Sequence, residues 1–143
     1  MKTYNGFIQP AALGLFDAQR RLEQIQNMGD PLAALNTVMD WTIFVPVLAR
    51  LPRAEPKAPG GRPAYKPLVM FKILVLQQLN NLSDERIEYQ IRDRLSFMRF
   101  LGLQMESRVP DAKTVWLFRE RLKELKLVEV LFAKFHDQLA SHG

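Results

Sequence analysis

The chain contains no cysteine, and that absence removes a disulfide framework, thiolate metal sites and a cysteine nucleophile together. It also fits a reducing compartment. Histidine is nearly as scarce: His136 and His142 stand close to the end at a spacing that suits no metal site, and both read as surface residues. No glycine-rich phosphate loop is present, because Gly60 and Gly61 sit among prolines with no strand before them. The carboxylates fall at cap and ion-pair positions rather than in a clustered set for acid/base work or metal binding. We therefore expect no catalytic residue, no metal ligand and no cofactor in this chain.

Long hydrophobic runs are missing as well. WTIFVPVLARL is interrupted by Pro46 and LVMFKILVLQQL by Lys72, and both fall short of the roughly 20 apolar residues that span a bilayer. The opening MKTYNGFIQPAALGLF has one Lys and no unbroken apolar run, so no secretory signal is read. A cytoplasmic, nucleoid-associated location without a membrane partner is the expectation. Strand signals are nearly absent too, with no sustained period-two alternation and no Asn-Gly or Asp-Gly turn joining two such runs.

What is present is helical punctuation and localised positive charge. At 143 residues, 48% apolar and 24% charged, the chain can bury a core and has the balance of a globular protein. Its net charge of +5 is uneven. Residues 50–72 alone carry +5 and residues 108–143 carry +2, while residues 1–49 and 73–107 each carry −1. Localised positive stripes are the electrostatic mark of phosphate contact, although a solvated basic surface has the same composition.

The punctuation divides the chain. A first helix runs from about Asp17 to Met28, with Leu22 and Ile25 on one face and Gly29 as its stop. Asp30-Pro31 opens a short helix through Leu35 and Val38, and Asp40 opens another through Trp41, Phe44, Val47 and Leu48 that Pro46 must kink or break. Residues 52–66 are a basic Pro/Gly linker between this lead-in (residues 1–51) and the rest. Pro67 starts an apolar central helix, polar only at Lys72, Gln77 and Gln78. Asn80-Asn81 is a turn, and Ser83 caps a helix with Asp84 and Glu85 in its positive first turn and a stripe of Ile87, Ile91 and Leu95. Ser96 caps a short helix that Gly102 ends. Asp111 caps a helix from Ala112 to about Lys126, with Val115, Phe118, Leu122 and Leu125 buried. Leu127–Leu139 is the last helix.

The predicted architecture is all-α, with a helix-turn-helix-like core over residues 67–126 and a final helix over 127–143. In such trios the last helix enters the major groove and the earlier ones brace it. The best candidate is DAKTVWLFRERLKELK. Its buried stripe turns Lys113, Thr114, Leu117 and Arg121 one way and Trp116, Arg119 and Lys123 another. Lys113 and Thr114 lie in the first turn, where base edges and phosphates are met. Arg119 reads either as a DNA contact or as the partner of Asp111 or of an acid on a neighbouring helix. Trp116 reads as a packed or partner-facing aromatic before it reads as a stacking platform. The charge-dense stretch NLSDERIEYQIRDRLSFMRFLGL, with four Arg and four acids, is mostly a solvated face laced by pairs such as Glu88 and Arg92. Arg94 and Arg99 remain candidate phosphate contacts within it.

The segments GRPAYKPLVMFKILVLQQLNNLSDERIEYQIRDRLSFMRFLGL and VPDAKTVWLFRERL, with GDPLAALNTVMDWTIFVPVL upstream, resemble the N-terminal domain of bacterial insertion-sequence transposases of the DDE type, the InsH-like group. The resemblance covers the chain from about Phe16 onward. It implies a region that binds element ends, followed by a catalytic domain whose three acids hold two magnesium ions. No acid of this chain matches that triad, so the resemblance implies a truncated or separately made piece, inactive alone. Its motif falls on Arg62, Lys66, Arg94, Arg99, Asp111, Thr114, Phe118 and Arg119. The cations and Thr114 are its implied DNA contacts, and Asp111 and Phe118 are cap and core. The implied partners are double-stranded DNA at terminal inverted repeats, and a second copy or intact transposase. A docking or oligomerisation module and a decayed fragment without DNA specificity are the competing readings.

Overall fold

A computed structural model describes residues 16–52 and 65–142, and all regular structure among them is helical. Arg62, the linker interior and the side chains of Leu22 and Ile25 lie outside the described residues. Helix α1 (Asp17–Asn27) ends at Gly29, whose φ of +93° only glycine adopts at little cost. The Asp30 carboxylate then accepts from the Leu32 amide at 3.0 Å and Pro31 takes the first position of α2 (Pro31–Val38). Asp40 caps a 3-10 turn, Trp41–Phe44, in the same way. Pro46 lacks the amide needed to continue that turn, so the chain breaks and restarts as α3 (Val45–Leu48).

Beyond the linker, Pro67 opens α4 (Pro67–Asn80), which Asn81 terminates in the left-handed region at φ +52°. The Ser83 hydroxyl accepts from the Arg86 amide at 3.1 Å and starts α5 (Asp84–Asp93). Helices α6 (Leu95–Leu101), α7 (Ala112–Glu124) and α8 (Leu127–Ser141) follow.

Two boundaries differ from the periodicity. Arg94 is extended, at φ −108° and ψ 118°, and it ends α5 one residue before Leu95. Leu95 therefore opens α6 instead of completing the α5 stripe, and α6 starts with no side-chain cap, so Ser96 is not its N-cap. At the far end of α7, Leu125 lies past the last helical residue and is 44% exposed. Lys126, at φ +57°, turns the backbone so that Leu127 is buried in its place.

Helix α4 runs through the core. Met70, Phe71, Ile73, Leu74, Val75 and Leu76 are all buried, so the helix is wrapped on nearly every side. An aromatic cluster joins it to segments distant in sequence. The Trp41 ring lies 5.5 Å from Phe100 and 6.2 Å from Phe135, and Phe71 lies 4.7 Å from Phe44 and 5.4 Å from Phe132. The residues before the linker thus share one hydrophobic cluster with those after it. Lys72 enters the same region. Its Nζ donates to the Phe100 carbonyl at 2.9 Å and to Asn36 Oδ1 at 3.2 Å, and lies 4.6 Å from the centre of the Trp41 ring. Burial lowers the Lys72 pKa, while the aromatic face and the carbonyl at the end of α6 favour the cation.

Candidate nucleic-acid interface

Helix α7 is built to be held on one side and left open on the other. Its N-terminus is closed by two carboxylates: Asp111 accepts from the Thr114 amide at 2.8 Å, and Glu88 of α5 accepts from the Ala112 amide at 2.8 Å. The Thr114 hydroxyl and amide hold the Asp111 carboxyl below its usual range, with smaller help from Lys113 and Arg92. One turn further in, the Arg119 guanidinium forks onto Asp84 at 3.0 and 2.7 Å and also donates to Gln77 Oε1 at 3.2 Å. That pair joins α7 to the first turn of α5 and to α4. The side chains of Arg119 and Asp84 are 26% and 15% exposed, and Arg119 holds the Asp84 carboxyl below the usual carboxylate range. Val115 and Leu122 complete the inward side, fully buried, with Phe118 half-buried against the core.

The outward side carries Lys113, Leu117 and Arg121 at four-residue spacing, with Trp116 beside them. Trp116 and Leu117 are 47% and 44% exposed, so this face mixes cations with apolar surface. At the start of α7 a cleft of about 350 Å³ is lined by Tyr65, Arg92, Ser107, Arg108, Asp111 and Thr114. The end of the linker therefore abuts the first turn of α7.

The profile of the family described as Transposase domain (DUF772) matches residues 20–121, most of the chain. The chain belongs to that transposase domain family. No solved structure matches it.

The transposase domain brings some of the expected site residues together and separates others. Lys66, which follows Tyr65 directly, is exposed, and Lys113 and Thr114 stand on the first turn of α7 beside the same cleft. Arg121 is exposed two turns along the same helix. Arg94 instead lines a different cleft with Asp30, Leu35 and Asn80, its guanidinium 5.2 Å from the Phe97 ring. Arg99 is half-buried in the last turn of α6. Arg119 turns inward rather than outward with Trp116 and Lys123, and its partner is the neighbouring-helix acid Asp84, not Asp111.

Arg92, Arg108 and Tyr65 were not among the residues singled out from the sequence. Arg92 reads there as half of an ion pair and Arg108 as part of a loop. The available signal was an arginine three positions before the helix cap in RVPD, which places a cation at the mouth of the following helix.

Among the described residues no group of three potential ligands could hold a metal ion. Asp84 is taken by Arg119, Asp111 and Glu88 by the start of α7, and Asp30 and Asp40 by their own helix starts. These carboxylates do not fit a metal-holding triad. Among the described residues, no single helix is long and apolar enough to cross a membrane.

Proposed function

We propose that this transposase domain is the DNA-binding region of an InsH-like, DDE-type insertion-sequence transposase, with α7 laid against duplex DNA at the ends of the element. The observation that carries the reading is the division of α7 into a side locked by Asp84, Glu88 and the core and a side that presents Lys113, Leu117 and Arg121. A helix pinned at its start and its middle offers its open face in one orientation, as a reader of base edges requires. Helices α5 and α7 pack on each other and both on α4, which supports a helix-turn-helix-like trio with α7 as the recognition helix. Lys113 and Arg121 suit phosphates or guanine edges, and Leu117 suits a thymine methyl. Strand cleavage with magnesium is assigned to acids outside this chain.

A band-shift titration against terminal inverted repeats at several salt concentrations tests the reading. Element ends are expected to bind more tightly than unrelated duplex, with affinity falling as salt rises. Equal affinity for unrelated DNA, unchanged by Lys113→Ala and Arg121→Ala, removes it.

A second reading, a helical docking or oligomerisation module, is favoured by a separate feature. Leu74, Leu82, Val128 and Phe132, together with the Asp84–Arg119 pair, line an open cleft of about 620 Å³ between α4, the start of α5 and α8. Light scattering alongside the DNA titration separates the two readings, since a tight dimer indifferent to DNA favours the second.

A further inference from the structure

We infer that the outward face of α7 on one copy of this chain docks in the open cleft between α4, α5 and α8 of another, with Trp116 and Leu117 against its apolar lining and Lys113 and Arg121 against Glu85 and Glu129. The inference rests on the docking and oligomerisation reading of that cleft and names its occupant.

Two observations and a symmetry argument carry it. The cleft combines an apolar lining with free charge of one sign. Leu74, Leu82, Val128 and Phe132 supply the lining, and Glu85 and Glu129 stand exposed beside them. Neither acid has an ion pair or a hydrogen bond among the described residues. The Asp84–Arg119 pair in the same cleft is closed on itself and on Gln77, and adds no net charge.

The outward face of α7 presents the opposite pattern. Trp116 and Leu117 are exposed and neither joins the core cluster. The DNA reading gives Trp116 no part, yet an exposed Trp beside a Leu is the kind of anchor that protein partners bury. Lys113 and Arg121 bracket the two and form no ion pair or hydrogen bond among the described residues, Lys113 adding a small attraction to Asp111. Of the acids on this side, Glu120 is paired with Lys123 at 3.1 Å and Glu124 lies beyond Arg121.

Neither surface complements itself. Cleft against cleft opposes acids, and face against face opposes cations, so face against cleft is the pairing that joins opposite signs. Arg119 lines the cleft from the inward side of α7, while Lys113 and Arg121 stand on its outward side. One copy therefore cannot fill its own cleft, and copies join head to tail. The acids also repel phosphates and keep nucleic acid out of the cleft. Docking covers the face assigned to DNA, so a docked copy is closed to duplex.

The test reads mass by light scattering across a concentration series, for the unmutated full chain and two double variants. Glu85→Lys with Glu129→Lys spoils the cleft and keeps the face, whereas Trp116→Ala with Leu117→Ala spoils the face and keeps the cleft. The unmutated chain is expected to grow past two copies, because head-to-tail pairing does not close at two. Each variant alone is expected to stay a single chain, and an equimolar mixture to form a pair that stops at two. Misfolding cannot produce that restoration. A mixture that stays as single chains overturns the inference. A second measurement needs no variant: added salt is expected to move growth of the unmutated chain to higher concentration, since exposed charge pairs are screened. Growth that salt does not weaken overturns the charge pairing. An unmutated chain that stops at two, or whose growth both variants retain, overturns this docking mode and leaves the oligomerisation reading standing. A single chain at every concentration removes both.

Discussion

The two seams of this molecule solve the problem of a long cation near a core in opposite ways. In the seam around Trp41, the Lys72 ammonium meets two oxygens and two aromatic faces, all of them neutral. In the seam between α5 and α7, the Arg119 guanidinium meets a carboxylate in a fork. The acceptors of Lys72 have other donors: the Phe100 carbonyl also accepts from Asn36 Nδ2 at 3.2 Å, and Asn36 Oδ1 from Trp41 Nε1 at 2.9 Å. Besides Arg119, Asp84 accepts from Gln77 Nε2 at 2.8 Å. The aromatic seam is therefore redundant and provides cohesion. The charged seam centres on one ion pair, flanked by Gln77, which bonds both of its members, and by Glu88 on the Ala112 amide, and it orients α7.

The largest expected effect lies in the aromatic seam. Phe71→Ala removes a fully buried ring from contact with Phe44, Trp41 and Phe132 and is expected to cost about 3–5 kcal/mol in urea unfolding. A cost below about 1 kcal/mol would mean that the rings do not form one packed unit.

Asp84→Ala comes next, at about 2 kcal/mol, because it strands a mostly buried guanidinium. With Arg119→Met added, the loss should be smaller than the sum of the single losses in a double-mutant cycle. The pH dependence has a defined sign. Arg119 depresses the folded-state pKa of Asp84, so its stabilisation is complete above the ordinary carboxylate range and is lost as pH falls through the folded pKa. Unfolding midpoints measured down an acid series should converge for the unmutated chain and Arg119→Met.

Lys72→Met tests the other seam and should cost under about 1 kcal/mol at neutral pH, since no acceptor is orphaned and the thioether fills the space. Burial lowers the folded pKa of Lys72, so the unmutated chain gains stability relative to Lys72→Met as pH rises from the folded pKa to the ordinary lysine range. A midpoint difference that stays constant on the alkaline side would contradict that sign.

The smallest effect on folding is expected for Lys113→Ala with Arg121→Ala, within about 0.5 kcal/mol because both side chains are exposed. The same double variant should lower the salt slope of DNA binding by about two. Folding and binding would then be carried by opposite sides of one helix.

Much of the fold was legible because its signals are local. Asp30, Ser83 and Asp111 each cap the helix that follows them, and Gly29 and Gly102 stop the helices before them. The apolar run from Leu68 to Leu76 reads as a central helix because only a surrounded helix can be apolar on nearly every side. The misplaced residues, Leu95 and Leu125, lie where a helix ends a residue or two before its periodicity does. The backbone angles of Arg94 and Lys126, which no spacing rule contains, decide those ends.

The sequence by itself determined the helices, most of their caps and apolar stripes, and the family, since these depend on residues within a few positions of one another or on the ordered string. The tertiary structure alone decided that Arg119 turns to Asp84, that Glu88 closes the start of α7, and that Tyr65 lies beneath Arg108. The reason is physical: a cation's choice between solvent and a partner depends on a carboxylate or a ring brought within about 4 Å by packing, and separation along the chain carries no record of that distance.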